Sequence, residues 1–152
     1  MISQKARYAF KALFALARAQ GGFVLSREIA KSETIPQAFL EQILLDLKRT
    51  GIVGSRRGRV GGFFLLKDPG TIDCGQVLRL IDGPIAPLPC LSRTAYRRCD
   101  DCQDERTCAV RQVFADGYGA LINALEGMSI AEAAARATGA QGDATVFEGA
   151  YI

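Results

Sequence analysis

The chain has 152 residues and a mass of 16.4 kDa, room for one domain of ordinary size or one domain with an appendage. Apolar residues make up 49% and charged residues 23%, which fits a buried core and excludes a chain disordered throughout; with no His and no Trp, Ser-His-Asp and Cys-His catalysis and every His-ligated metal site are excluded too. No stretch approaches the roughly 18 unbroken apolar residues of a membrane span, and a start carrying Lys5 and Arg7 is too charged for a secretion signal, so a cytoplasmic protein with no membrane partner is expected.

The net charge of +3 hides an asymmetry. Residues 1–67 hold 12 Lys/Arg against 4 Asp/Glu, and residues 68–152 hold 7 against 12. A basic front half on an acidic back half suggests a polyanion-binding module joined to something with another task.

Residues 3–20 read as a helix apolar almost all round, with Arg7, Lys11 and Arg18 forming one cationic ridge. Gly21-Gly22 ends it. A short segment, Phe23-Val24-Leu25, follows, and Ser26 with Glu28 behind it predicts an N-cap and a brief helix through Lys31. Pro36 opens a longer helix that stops at Gly51. Its apolar set, Phe39, Leu40, Ile43, Leu44 and Leu47, is expected to face a core, while Gln37, Ala38, Glu41, Lys48 and Arg49 lie outward. Two short helices across a tight turn make a helix-turn-helix candidate.

Ile52-Val53 and Phe63 to Leu66 are strand-like and flank a tip rich in Gly and Arg, including Arg56, Arg57 and Arg59. Arginines there can pair with phosphates or reach into a narrow minor groove. The helix-turn-helix with this hairpin predicts a winged helix. The Gly-rich run is not a phosphate loop: it lacks the Gly-Lys-Ser/Thr ending, and a strand follows it instead of a helix.

Asp73 is placed to cap a helix over 74–82, stopped by Gly83-Pro84. Then Cys90, Cys99, Cys102 and Cys108 follow with eight, two and five residues between them, in a polar loop. Three readings compete. An iron–sulfur cluster needs thiolates and tolerates uneven spacing, so it leads. A four-cysteine zinc site is second, because zinc usually takes two short knuckles and only Cys99 and Cys102 make one. A dithiol switch or small redox enzyme at Cys99 and Cys102 is third, since Asp100 and Asp101 would raise the thiol pKa values. Cys74 reads as a small buried hydrophobe.

The longest helical pattern comes next, with Val110, Val113, Phe114, Tyr118, Leu121, Ile122 and Leu125 at offsets of three and four. Such a helix either folds back on its own core or packs on its copy in a second subunit. Ser129 to Glu132 forms a capping box for a last short helix, and a frayed tail is expected from Thr138. The fold class is therefore mainly α with a small β-hairpin wing, a winged helix-turn-helix plus a long helix, a dimerisation helix if it packs on its copy. The divisions expected are 1–70 for the winged helix-turn-helix that binds DNA, 71–89 for a linker helix and Pro-rich segment, 90–108 for the cysteine loop, 109–137 for the long helix with its candidate dimer contact and the short terminal helix, and 138–152 for a flexible tail.

With these motifs in hand, the chain resembles the IscR/NsrR/RirA-type family of bacterial winged-helix iron–sulfur-cluster transcriptional regulators, over about Ile2 to Ala137. The carriers are Lys5 to Ala9, Ile35-Pro36 with Phe39 to Leu44, Leu47 to Val53, Ser55 to Phe63 in the wing, Val77 to Asp82, and the cysteine loop. The resemblance implies a homodimer, not an enzyme, that binds a partly palindromic double-stranded DNA operator and holds a 2Fe–2S or 4Fe–4S cluster. The cluster's state would tune transcription in response to iron, redox or nitric oxide. By position, Gln37 and Glu41 would face base edges, Arg57 with Arg56 and Arg59 would enter the minor groove, and Ser3, Lys5 and Arg7 would contact phosphates. Cys90, Cys102 and Cys108 match the family's three cysteines. Members take a fourth ligand elsewhere, such as a His three residues past the last Cys, where this chain has Arg111; Cys99 is extra and could supply a fourth thiolate.

Overall fold

The computed structural model describes residues 2–138. Ser3 caps the first helix, α1 (Gln4–Arg18), by accepting from the Ala6 N–H at 3.0 Å. The small side chains of Ala6, Ala9 and Ala12, with Leu13 and Leu16, form its buried stripe; Tyr8, Phe10 and Phe14 are only half-buried, so the helix is less enclosed than its composition suggests.

α2 (Ser26–Ser32) begins one residue earlier than the sequence suggests, so Ser26 is the first helical residue and Leu25 the cap. Glu28 still reaches back to the Leu25 N–H, at 3.3 Å. The turn into α3 (Gln37–Arg49) carries Thr34 at φ +54° and seats Ile35 in the core. Leu40, Ile43, Leu44 and Leu47 of α3 are fully buried, each worth about 1.5–3 kcal/mol of apolar transfer. Phe39 is not with them. It stands 66% exposed, because at 100° per residue it falls about 90° round the helix from the middle of that stripe.

Gly51, at φ +73°, lets the chain leave α3 and enter β1 (Val53–Arg56), which pairs antiparallel with β2 (Gly62–Leu65), Val53 opposite Leu65 and Arg56 opposite Gly62. A bridge between Val24 and Phe63 adds the segment before α2 to this hairpin. Gly62 makes that approach possible: a Cβ there would lie 2.7 Å from the Val24 carbonyl oxygen.

A single 3-10 turn over Pro69–Thr71 leads to α4 (Cys74–Asp82), whose cap is Asp73, accepting from the Gln76 N–H at 2.6 Å, and whose end is Gly83 at φ +80°. A second 3-10 turn, Pro89–Leu91, opens the cysteine loop, and α5 (Ala109–Glu126) closes it. In α6 (Ile130–Thr138) the Ser129 hydroxyl accepts from the Glu132 N–H at 3.2 Å, while the Glu132 carboxylate accepts from Ser129. The expected tail beyond Thr138 lies outside the described residues.

One core joins the front and back of the chain. Ile72, Cys74, Val77 and Ile130 pack into the same cluster as α1, α2 and α3, and α6 lies against α1. By contrast, α5 buries only Ile122 fully. Val110, Val113, Phe114 and Leu121 stay open to solvent. This long helix turns Ile122 and Leu125 inward and leaves the rest of its apolar face outside the core.

Candidate DNA-binding surface and cysteine cavity

The outward side of α3 exposes Gln37, Ala38, Phe39, Glu41, Gln42, Leu45, Lys48 and Arg49. Gln37 donates to Glu41 at 2.9 Å, one helical turn on, so the two predicted base-reading residues form a joined pair. Lys48 donates to the Ser55 hydroxyl at 2.7 Å and ties the end of α3 to the wing. In the wing, Arg56 lies over the Phe23 ring, 5.5 Å from its centre, and Phe23 meets Phe64 edge-on at 5.1 Å. Arg57 and Arg59 are exposed and make no hydrogen bond or ion pair among the described residues. They are the free cations of the tip.

The residues predicted to meet phosphates are placed less openly. The backbone N–H of Ser3 donates to Asp82 at 2.9 Å, and its hydroxyl donates to the same carboxylate. Lys5 pairs with Asp46 of α3 at 2.7 Å, and Arg49 holds Asp46 from the other side at 3.0 Å. The hydrogen bond from Lys5 holds the Asp46 carboxyl below the usual aspartate range. Arg7 is exposed, and its guanidinium donates to the Gln4 side chain at 3.0 Å. The expected cationic ridge on α1 is therefore shorter: Lys11 donates to the Glu33 carbonyl at 2.7 Å and Arg18 pairs with the Glu33 carboxylate, so both fasten α1 to the end of α2.

The four loop cysteines line one cavity of about 440 Å³ with Leu88, Val110 and Arg111. The 3-10 turn at Pro89 buries Cys90, a turn closes from the Cys102 N–H to the Cys99 carbonyl at 3.1 Å, and Arg98 donates to the carbonyls of Cys102 and Gln103. Cys108 caps α5, its sulfur accepting from the Arg111 N–H at 3.5 Å. Burial, then the neighbouring Cys90 thiol and Asp101, push the Cys99 thiol up. Cys74 lies apart in the core, 4% exposed, and burial pushes its thiol up as well.

Two features bear on what the cavity can hold. Among the described residues no three Cys, Asp or Glu side chains converge as a ready site for a metal ion, so the loop would have to draw its thiolates inward. Yet Arg111 keeps its Nε buried with no hydrogen-bond partner. Glu105, at 3.8 Å, offers charge but is too distant to accept a hydrogen bond. A donor without an acceptor beside four thiols suits an anionic sulfur-rich group. Sequence reasoning considered Arg111 only as a failed ligand. Asp82 and Glu126, which join distant parts of the chain, carry no local signal at all.

A helix-turn-helix followed at once by a cation-tipped hairpin defines a winged-helix DNA-binding protein. The comparisons with known proteins narrow this. The Rrf2 family, described as iron-dependent transcriptional regulators, matches residues 2–136, and the chain belongs to that family. It is 47% identical over 134 residues to an rrf2-like HTH-type transcriptional regulator of Rhodobacter capsulatus, covering 86% of this chain and 89% of the relative. It is 31% identical over 102 residues to the HTH-type transcriptional regulator IscR of Citrobacter koseri, covering 66% of this chain and 63% of IscR. Among solved structures, CymR, the global cysteine regulator of B. subtilis, superposes with a TM-score of 0.75 at 27% identity, covering 89% of this chain and 96% of CymR. The IscR of T. potens shares the fold, with a TM-score of 0.70 at 24% identity over 93% of this chain and 90% of that one. The protein is a DNA-binding transcriptional regulator related to IscR and CymR.

Proposed function

We propose that the chain is a homodimeric, cytoplasmic regulator whose operator affinity is set by an iron–sulfur cluster held by Cys90, Cys99, Cys102 and Cys108. The observation that carries this reading is the single cavity lined by all four thiols and by Arg111 with its unpartnered Nε–H. The family's description as iron-dependent supports it, as does the donor set, because thiolates are the ordinary ligands of such clusters. Cys99 takes the place of the ligand that relatives draw from elsewhere. When bound, the cluster would add redox and nitric-oxide reactivity; the chain's own part is to hold thiolates and to offer Arg111 as counter-charge.

On the DNA side, α3 lies in the major groove with Gln37 and Glu41 at base edges. Arg57 and Arg59, with Arg56, reach the minor groove, and Ser3, Lys5 and Arg7 approach phosphates. The open face of α5, Val110, Val113, Phe114 and Leu121, meets a second copy. No helix among the described residues is long and apolar enough to cross a membrane.

Anaerobic purification tests it. The protein should be brown and contain iron and sulfide. Cys90→Ala, Cys102→Ala and Cys108→Ala should each remove the colour, Cys99→Ala should remove or shift it, and Cys74→Ala should not. Colourless protein holding one zinc ion would overturn the cluster and leave a structural four-cysteine site.

A further inference from the structure

The outer face of α3 carries one large aromatic side chain among polar ones. Phe39 lies in the first turn, 66% exposed, next to exposed Ala38 and nearest round the helix to exposed Gln42, on the opposite flank from the Gln37–Glu41 pair. The fold gives its ring no stacking partner, since the aromatic pairs among the described residues are Phe10 with Phe14 and Phe23 with Phe64. The element it stands on suits a polyanion better than an apolar protein face, because the last turn of α3 and the wing beyond it carry five cations between Lys48 and Arg59, and Arg57 and Arg59 of the tip are unpaired among the described residues.

The first turn of a recognition helix is the part that reaches base edges in the major groove. The apolar group that groove presents is the C5 methyl of thymine, which side chains such as Phe and Ala contact. We propose that Phe39 is a specificity-determining residue that packs its ring on a thymine methyl in each half-site, with Ala38 beside it. The hydrogen-bonded pair Gln37 and Glu41 then meets polar base edges on the wing side of α3. The assignment rests on the placement of α3 in the groove proposed above.

The test uses the full chain and a duplex selected by it from a random-sequence pool. Thymines of that duplex are replaced singly by deoxyuridine, which removes only the methyl group. Burying one such carbon contributes about 0.8 kcal/mol, so the replacement at one thymine per half-site should weaken wild-type binding about fourfold each time. Phe39→Ala should bind the selected duplex more weakly and no longer respond to that replacement. Its affinity for random duplex, its salt dependence and its melting temperature should match wild type, because phosphate contacts and core are untouched. Phe39→Leu should keep part of the preference.

Finding no thymine whose methyl matters to wild type but not to Phe39→Ala would overturn the assignment. So would an equal loss on random duplex, which marks general binding, or a shift of Phe39→Ala to monomer in sedimentation, which marks a contact between copies. A chain that selects no duplex at all would overturn the placement of α3 together with it.

Discussion

Thr34 carries the turn between α2 and α3 at φ +54°, a region that costs a β-branched residue about 1–2 kcal/mol. The position is held because Ile35 beside it is buried and its N–H bonds to the Ala30 carbonyl at 2.9 Å. Thr34→Gly should remove that strain, give back part of the gain as chain entropy, and stabilise the protein by about 1 kcal/mol. For a chain of this size the melting temperature should rise about 2–4 °C, and an unchanged or lower value would mean the turn is unstrained. The tip arginines face the opposite situation, with no internal role to lose. Arg57→Ala should leave melting unchanged and weaken operator binding by about 1–3 kcal/mol, measured by titration at fixed salt. Lys5→Ala is different again, because it removes a cation and also releases Asp46 near the same surface. It should weaken binding to all sequences alike.

At the scale of elements, α1 and α3 are clasped by the Lys5–Asp46 pair as well as by their shared core. The Asp46 pKa is lowered in the folded chain, so its contribution is fully present above the ordinary aspartate range and lost as pH falls through the lowered value. Acid unfolding of Asp46→Asn should show a flatter loss of stability over that window than wild type. An unchanged profile would assign the acid sensitivity to other carboxylates, such as Asp104 and Glu132, which their own N–H donors also hold low. Most of these elements were legible in the sequence because their signals are local. Asp73 caps α4, Gly51 and Gly83 stop helices, and the Ser129–Glu132 box opens α6. Phe39 was misjudged because a run of adjacent apolar residues reads as one face, although Leu40, Ile43, Leu44 and Leu47 already fill the 100° or so that a core can cover. Lys11 and Arg18 looked free for the opposite reason: their partner, Glu33, lies 15 or more residues away, beyond any local pattern.

Over the whole molecule, a chain of polar contacts runs from the cysteine loop to the N-terminal end of α1. Glu126, at the end of α5, accepts from Arg93 of the loop at 3.4 Å and from Arg79 of α4 at 2.8 Å. It packs so closely on α4 that a Cβ at Gly75 would lie 2.9 Å from its Cγ. At the other end of α4, Asp82 holds Ser3, the cap of α1. Filling the cavity would order residues 90–108, each giving up to about 1 kcal/mol of backbone entropy, and so bias the position of α4 and of the two DNA-binding halves in a dimer. A coupling of about 1–3 kcal/mol, or roughly 5–150-fold in operator affinity, is the expected size, with the cluster-bound form the tighter binder. Glu126→Gln should keep the visible absorption of the bound cluster and leave apo-protein affinity near wild type, but shrink the difference between holo and apo titrations at one salt concentration. If the variant keeps the full difference, coupling runs by another path, through α5 and the dimer contact. If wild type itself shows equal affinities, the loop has no regulatory role, whatever it binds.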